Sequence, residues 1–259
     1  MPGLPPPHEP VDRALILVKA VPNPSKTHGE TVCCAGVTLT REWRRIYPVR
    51  FRQLAEGRQF VRWQWLDFRY GRPKDDTRKE SRRAFEDTLR PGPIMPEDER
   101  ADFLAPLVRR SCAEAAARGE SLALVRPLQT RFYWRRRSAA EVEKERAAFA
   151  RAARQASFLD AELAEYDPPP FEFRMRVTDA AGPHDYECGD WETAAAFFNL
   201  RRQGYSEQRV LQHLDEQYNS ERPRRGLLLA MGTVKKRPDQ WLLLGILSLP
   251  DPAQHALPV

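Results

Sequence analysis

The sequence predicts an α+β protein. We expect a small, strongly bent β-sheet or barrel of the SH3 or OB kind at the N-terminus, a helical middle and a C-terminal α+β domain. Short segments rich in β-forming residues, joined by polar loops, fill much of residues 14–70, which is typical of small barrels. Residues 138–166 then follow a helical pattern, and the last third alternates between strand and helix patterns. The predicted regions are a disordered arm over residues 1–12, a β-rich basic domain over 13–95, the helical middle over 96–167 and the α+β domain over 168–259.

The N-terminal region contains four predicted strands. Five prolines among the first ten residues precede them and favour the disordered arm. The strands are expected over residues 14–21, 31–39, 43–51 and 59–70. Pro48 interrupts the third strand, which favours a sheet edge or a bulge. Val61, Trp63 and Trp65 share one face of the fourth strand, because successive side chains of a strand point to opposite faces.

The middle of the chain is mainly helical in pattern. A helix is predicted over residues 97–119, with Pro106 as a kink or a delayed start. Short strands are expected over residues 121–127 and 130–134. The clearest helix covers residues 138–166, where Ser138 and Glu141 have the spacing of a capping box. Three consecutive prolines at 168–170 end this helix.

The final third predicts the element order β-β-α-α-β-β. The first of these strands alternates inward apolar residues at Phe171, Phe173, Met175 and Val177. Two helices follow, for which Asp190 and Ser206 are suitable N-caps. Apolar strands are then expected over residues 226–232 and 240–249. A basic loop, Lys235-Lys236-Arg237, connects these last two strands.

The positive charge of the chain is concentrated in one region. The 259 residues include 42 Lys+Arg against 36 Asp+Glu, a net charge of +6, and 35 of the cations are arginines. Either a GC-rich genome or a function explains this arginine excess, since the guanidinium group binds phosphate and carboxylate in a bidentate manner. Residues 41–90 hold fifteen Lys/Arg and eight Asp/Glu, so the rest of the chain has a net charge of −1. The position of the cations along the chain is therefore more informative than their total number.

Several classes of protein are excluded by composition. No apolar run approaches the roughly 20 residues that span a bilayer, and the proline-rich start does not have the pattern of a signal peptide. Cys33, Cys34, Cys112 and Cys188 have neither metal-site spacing nor the pattern of a disulfide framework. They are predicted to be small buried side chains in a reducing compartment. We expect a cytoplasmic protein with no membrane partner, no metal and no cofactor.

The segment over residues 41–83 is the leading candidate for a functional surface. It interleaves cations with aromatic side chains, and nucleic-acid-binding surfaces combine cations for phosphates with flat rings for bases. The alternative is structural, with the rings in the core and the arginines on a solvated face beside acidic residues. The charge concentration favours a nucleic-acid partner, DNA or RNA. The candidate residues are Arg44, Arg45, Arg50, Arg52, Arg62, Arg69, Lys235, Lys236 and Arg237 for phosphates, and Trp43, Tyr47 and Trp63 for stacking.

Two alternative functions remain open at this stage. The first is a metal-dependent nuclease or hydrolase that uses Asp76, Glu80, His184, Asp185 or Glu187. Asp76 and Glu80 would share one face of a helix, where i, i+4 salt bridges with neighbouring cations are the commoner explanation. Asp75 or Asp76 as the cap of this helix is favoured over a metal site. A strand places His184 on the opposite face from Asp185 and Glu187. The second alternative is an assembly subunit whose helix over residues 138–166 binds a protein partner. The sequence identifies no catalytic residue.

Several longer motifs are shared with other proteins. They are Gly29–Val37, Trp43–Leu54 and Asp76–Ser81, followed by Asp190-Trp191-Glu192, Met231-Gly232-Thr233 and Trp241–Leu247. With these motifs the chain resembles a group of uncharacterised prokaryotic proteins, over most of its length. The resemblance implies no activity and assigns no catalytic residue.

Overall fold

A computed structural model describes residues 10–21, 23–25, 29–74, 76–156 and 167–250. Within them, the strands are β1 (Val11–Lys19), β2 (Asn23–Ser25), β3 (Gly29–Val37), β4 (Trp43–Val49), β5 (Gln64–Gly71), β6 (Ser81–Ala84), β7 (Arg90–Ile94), β8 (Val108–Arg109), β9 (Leu122–Val125), β10 (Gln129–Arg136), β11 (Phe171–Asp179), β12 (Gly182–Glu187), β13 (Leu227–Val234) and β14 (Arg237–Ser248). The α-helices are α1 (Glu97–Leu104), α2 (Cys112–Ala117), α3 (Ala139–Ala156), α4 (Trp191–Arg202), α5 (Glu207–Glu216) and α6 (Arg222–Arg224). A π-helical turn, Gln217–Glu221, connects α5 to α6.

Five N-terminal strands close into a barrel. β1 pairs with β3 and β5, β3 pairs with β4, β4 pairs in parallel with β6, and β6 pairs with β5. Ile16, Cys34, Ile46, Leu66 and Phe68 are among the side chains that fill its interior. This closed five-stranded arrangement is of the OB kind. The prediction of an α+β protein with a small N-terminal barrel is confirmed.

A four-stranded sheet lies beside the barrel and is buried on both faces. Its strand order is β14-β13-β9-β8, and we call it the middle sheet. Leu228 and Ala230 of β13 pack in one core with Leu15 and Leu17 of the barrel. Leu229, which alternates with them, packs in a second core on the opposite face. Because both faces need apolar side chains, β9 and β13 are continuous apolar runs rather than alternating ones.

The second core is covered by a third layer. This layer consists of the sheet β10-β11-β12 together with α4 and α5. Phe132 of β10 and Phe173 of β11 stack with their ring centroids 5.9 Å apart, and Phe197 of α4 packs against Phe173. The predicted order β-β-α-α-β-β of the final third is confirmed by β11, β12, α4, α5, β13 and β14.

The structure corrects two predicted elements. The single helix over residues 97–119 is wrong, because α1 ends at Leu104 and a 3₁₀ turn containing Pro106 follows. Proline cannot donate its backbone nitrogen to a helix, and β8 then pairs with β9. The fourth strand begins at Gln64 rather than at residue 59, because Trp63 adopts a φ of 68°. This conformation falls outside the β region.

Other local predictions hold. Tyr47 and Pro48 lie where the pairing of β4 with β3 shifts register, so Pro48 sits in a bulge. The capping box of α3 is present, because the backbone amide of Glu141 donates to Ser138 and that of Ser138 donates to Glu141. The structure describes this helix to Ala156, and the rest of the predicted range lies outside the described residues. None of the described helices combines the length and the apolar character that crossing a membrane requires.

Candidate functional site

Arg62, a predicted phosphate contact, lies at the junction of the barrel and the middle sheet. Its Nη2 donates to the Asp190 carboxylate at 2.7 Å and its Nη1 donates to the carbonyl of Ile246 at 2.8 Å. Asp190 is fully buried and also accepts from the backbone amides of Ile246 and Glu192, so it caps α4 as predicted. The charge of Arg62 is therefore compensated inside the protein.

Arg44 and Arg45 are also occupied by neighbouring groups. Arg45 is 6% exposed and donates from Nη2 to the carbonyl of Ser121 at 3.2 Å. The Glu80 carboxylate, which is equally buried, lies 4.0 Å from this guanidinium. Arg44 donates from Nε to Asp12 at 2.5 Å and from Nη2 to Glu42 at 2.8 Å. Both cations thus hold the fold together at the β4 side of the barrel.

The remaining predicted arginines of the barrel have protein partners as well. Arg50 donates from Nε to the Glu86 carboxylate at 2.8 Å. Arg52 and Arg69 are half-buried and each has a partner within the protein. For Arg44, Arg45, Arg50 and Arg62, the structure thus favours the structural interpretation, in which acidic or carbonyl groups take up the positive charge.

Of the three predicted stacking residues, Tyr47 is the exposed one. Its side chain is 42% exposed, and its hydroxyl accepts from the Thr31 hydroxyl at 3.3 Å. Trp43 and Trp63 are half-buried and pack on the core between the barrel and the middle sheet. The guanidinium of Arg100 covers the Trp63 ring, 4.7 Å from the ring centroid. Neither indole is therefore a free platform for a base.

Two polar loops, the β5–β6 loop and the β13–β14 turn, meet at one end of the barrel. Lys235 and Lys236 form the exposed turn between β13 and β14, and the exposed Arg237 begins β14. The β5–β6 loop, residues 72–80, reaches this hairpin through Arg78. Its Nη1 donates to the carbonyl of Thr233 at 3.0 Å, a contact between residues 155 positions apart. The connection brings residues 72–83 and 233–237 side by side.

Asp76 holds the β5–β6 loop in place. Its carboxylate accepts from Nη2 of Arg78 at 2.6 Å and from the Ser81 hydroxyl at 2.8 Å. Burial favours the neutral form of this group, but the two hydrogen bonds outweigh burial and lower the pKa of Asp76 from 3.8 to about 2. The segment is a loop, so the interpretation of Asp76 as a helix cap is wrong, and Asp75 lies outside the described residues.

Sequence reasoning missed four cations of this region. Arg72, Lys74, Lys79 and Arg83 are exposed, and none of them forms an ion pair with another described residue. In a helix over residues 75–82, the acidic neighbours would have neutralised Lys79 through an i, i+4 pair. Instead, Asp76 is taken by Arg78, while Glu80 is buried and accepts from Ser121. The local excess of cations over carboxylates in residues 72–83 was the signal that could have identified them.

The acidic and histidine candidates for a nuclease site lie apart. Asp76 and Glu80 belong to the loop just described, whereas His184 lies on β12 with its Nε2 3.2 Å from the Asp179 carboxylate. Asp185 accepts from Tyr133 and Arg174, and burial raises the pKa of Glu187. Within the described ranges, no group of three or more His, Cys, Asp or Glu residues could hold a metal ion.

The four cysteines are free thiols with different access to solvent. Burial raises the pKa of Cys112 to about 12 and that of Cys188 to about 12, and it raises the pKa of Cys34 further. These three thiols are packing residues, as predicted. Cys33 is half-buried and alternates out of the barrel interior.

Comparison with known proteins finds two family models that match consecutive parts of the chain. The family model described as Domain of unknown function (DUF8758) matches residues 10–106, and the one described as Domain of unknown function (DUF8757) matches residues 106–258. No curated protein matches the chain. Neither description carries an activity, which confirms the resemblance to uncharacterised proteins. The two matches meet in the 3₁₀ turn Ala105–Leu107, next to the first strand of the middle sheet.

Proposed function

We propose that this chain, which belongs to the family described as Domain of unknown function (DUF8757), is a nucleic-acid-binding protein. In this proposal the phosphates are contacted by a surface that we call the basic rim. The basic rim is defined by Arg72, Lys74, Lys79, Arg83, Lys235, Lys236 and Arg237. All seven side chains are exposed.

The observation that carries the proposal is the hydrogen bond from Arg78 to the carbonyl of Thr233. It joins the β5–β6 loop to the β13–β14 hairpin, which supports the proposal that cations from both halves of the chain contribute to one surface. No ion pair between described residues neutralises these cations. Cations without an acidic partner can pair with the phosphates of a nucleic acid and release the counterions bound there. This release of counterions is a major source of affinity for nucleic acids.

The barrel topology gives further support. In OB folds the loop between the fourth and fifth strands, here the β5–β6 loop, is one of the elements that contact oligonucleotides. The outer face of the second and third barrel strands is the other common contact surface. Here Ala35 and Val37 of β3 and Trp43 of β4 are packed against the middle sheet instead. The proposal therefore assigns phosphate contacts to the loops rather than to the face of the sheet.

Tyr47 is the aromatic residue that fits this surface. β4 and β6 pair at Arg45 with Ser81 and at Ile46 with Arg82. Tyr47 and Arg83 are the next residues on these two adjacent strands, and both are exposed. A base that stacks on Tyr47 would have its phosphate within reach of the basic rim. Stacking on an aromatic side chain tolerates any base.

Fluorescence anisotropy with labelled single-stranded and double-stranded DNA and RNA tests the proposal. The chain and a variant with Lys235→Gln, Lys236→Gln and Arg237→Gln are titrated at several salt concentrations between about 50 and 200 mM, where phosphate contacts weaken steeply. We expect the chain to bind at least one probe and its affinity to fall with salt. The triple variant should reduce the slope of log affinity against log salt by up to about three, since each lysine or arginine that contacts a phosphate contributes about one.

A second triple variant controls for net charge. Arg110→Gln, Arg118→Gln and Arg201→Gln remove the same charge from exposed positions outside the basic rim, so this variant should keep the slope of the parent chain. Equal weakening by the two triple variants would mean that net charge alone is responsible. Failure of all four probes to bind at low salt would rule the proposal out and leave an assembly role.

A further inference from the structure

A cleft of about 420 Å³ opens between the barrel and the C-terminal half, at the end of β1 and the start of β5. Its cationic lining consists of Lys19, Arg62, Arg100, Arg222 and Arg225. Because β1 and β5 run antiparallel, Lys19 and Trp63 lie at one end of the barrel, and the β5–β6 loop of the basic rim lies at the other. The cleft is therefore separate from the surface that we propose for nucleic acid.

Three of these cations are not neutralised by an ion pair with any described residue. Arg100 donates from Nε and Nη2 to the carbonyl of Met95, at 3.1 and 3.0 Å. Arg222 donates from Nη1 to the carbonyl of Ile246 at 2.8 Å. Arg225 is exposed. Backbone carbonyls orient a guanidinium without cancelling its charge, so these three groups retain the capacity to bind an anion.

The other two cations are fixed by carboxylates and shape the floor of the cleft. Lys19 is 7% exposed and its Nζ lies 3.1 Å from Glu192. Arg62 is paired with Asp190, but its buried Nε–H has no hydrogen-bond partner among the described residues. A buried donor without a partner is costly to leave unsatisfied.

Two backbone irregularities line the same cleft. Trp63 has a φ of 68°, and bulky non-glycine residues adopt positive φ rarely. The π-helical turn Gln217–Glu221 contributes two lining residues, Gln217 and Glu221. Positive φ at non-glycine residues and single π-helical turns both concentrate at ligand-binding and catalytic sites. Trp63 and the π-helical turn come from opposite halves of the chain. Their presence at one cleft supports a ligand site independently of the positive charge of the cleft.

We propose that this cleft binds a small molecule that carries a phosphate group and hydroxyl groups. Its volume is that of a small-ligand pocket. Guanidinium groups bind phosphate oxygens in a bidentate manner, so Arg100, Arg222 and Arg225 would hold the phosphate. The carboxylates of Glu97 and Glu221, which also line the cleft, would accept hydrogen bonds from ligand hydroxyls. A simple anion without hydroxyl groups would face these carboxylates unfavourably.

Isothermal titration calorimetry with ribose 5-phosphate and adenosine monophosphate tests the proposal on the full chain. We expect at least one of them to bind more tightly than about 1 mM, the weak end of the specific range. Arg225→Gln should weaken that affinity by about tenfold, the loss expected for one charged hydrogen bond. Arg224→Gln is the matched control, because Arg224 is an exposed neighbour that does not line the cleft.

The outcomes separate this site from the basic rim. The variant with Lys235→Gln, Lys236→Gln and Arg237→Gln should bind the small ligand as the parent chain does, whether or not it loses nucleic acid. Absence of binding by both phosphorylated probes would overturn the proposal. Equal weakening by Arg224→Gln and Arg225→Gln, or equally tight binding of inorganic sulfate, would also overturn it, because either result would indicate unspecific attraction of anions.

Discussion

Arg62 and Asp190 form an ion pair between the two halves of the chain, with 2.7 Å between Nη2 and Oδ1. The Asp190 side chain is 0% exposed and that of Arg62 is 11% exposed. The same carboxylate caps α4 and accepts the backbone amide of Ile246 in β14. One buried group therefore connects the barrel, a helix of the third layer and the middle sheet. Removing either partner would leave the other charge buried without compensation.

Asp190→Ala should lower the free energy of unfolding by about 3–5 kcal/mol, the cost of breaking a buried ion pair from one side. Urea unfolding measures this loss. Asp67→Ala is the control, because the Arg13–Asp67 pair is 3.5 Å apart and its side chains are 43% and 41% exposed. An exposed pair contributes less than about 1 kcal/mol. Similar losses in the two variants would contradict the structural importance of Asp190.

The stabilising contribution of Asp76 should depend on pH. The folded-state pKa of this group is about 2, below its usual 3.8, so the folded state is favoured when the carboxylate is charged. The contribution is complete above about pH 5 and is lost as the pH falls through the folded pKa. Because solvent still reaches this carboxylate, whose side chain is 17% exposed, and weakens its ion pair, we expect the contribution to be about 1 kcal/mol. The difference in unfolding free energy between the parent chain and Asp76→Asn should therefore shrink between pH 5 and pH 2, and a constant difference would refute the prediction.

Substitutions on the two faces of β13 should destabilise one cooperative unit. Leu228 faces the barrel core and Leu229 faces the opposite core, and both are buried. Leu228→Ala and Leu229→Ala should each cost about 2–5 kcal/mol, the usual cost of a buried leucine. Tryptophan fluorescence and far-ultraviolet circular dichroism should report one shared transition for each variant. Leu242→Ala, at a position 39% exposed, is the control and should cost less than about 1 kcal/mol. Two separate transitions would show that the halves unfold independently.

Native alkylation should modify one cysteine. Cys34, Cys112 and Cys188 are buried, and their raised pKa values keep them as thiols. The thiolate is the reactive form, so iodoacetamide should label Cys33 alone in the folded protein and all four cysteines in urea. Mass spectrometry of the digested chain identifies the labelled positions. Native labelling of Cys112 or Cys188 would show that the third layer opens readily.

Much of the fold could be predicted from local patterns. The alternation at Phe171–Val177 and the caps at Asp190 and Ser206 depend on residues close in sequence, and the structure confirms each of them. Pro106 was recognised as a disturbance, but whether it kinks or ends the helix depends on β9, which offers β8 a strand to pair with. Tertiary pairing of this kind leaves no local trace.

The candidate site was harder to predict because charge compensation is not local. Arg62 meets a carboxylate 128 positions away and Arg45 meets Ser121, 76 positions away. A count of neighbouring charges makes such arginines look free. The same count hid Lys79 and Arg83 behind acidic neighbours that are directed elsewhere in the structure. The distribution of charge along the sequence identified the basic region. Which individual side chains are paired could be seen only from the three-dimensional structure.

The position of the boundary between the two family matches has a consequence for inheritance. The matches meet at residue 106, yet Leu104 and Leu107 on either side are buried in one hydrophobic core with Leu15, Leu124 and Leu228. A recombination event at this point would join two surfaces that had not been selected against each other. The mismatch would lie in a close-packed hydrophobic core rather than in an exposed linker. The two halves are therefore expected to be inherited together. Residues on the two sides of this core should coevolve, so that a substitution on one side is compensated by a substitution on the other.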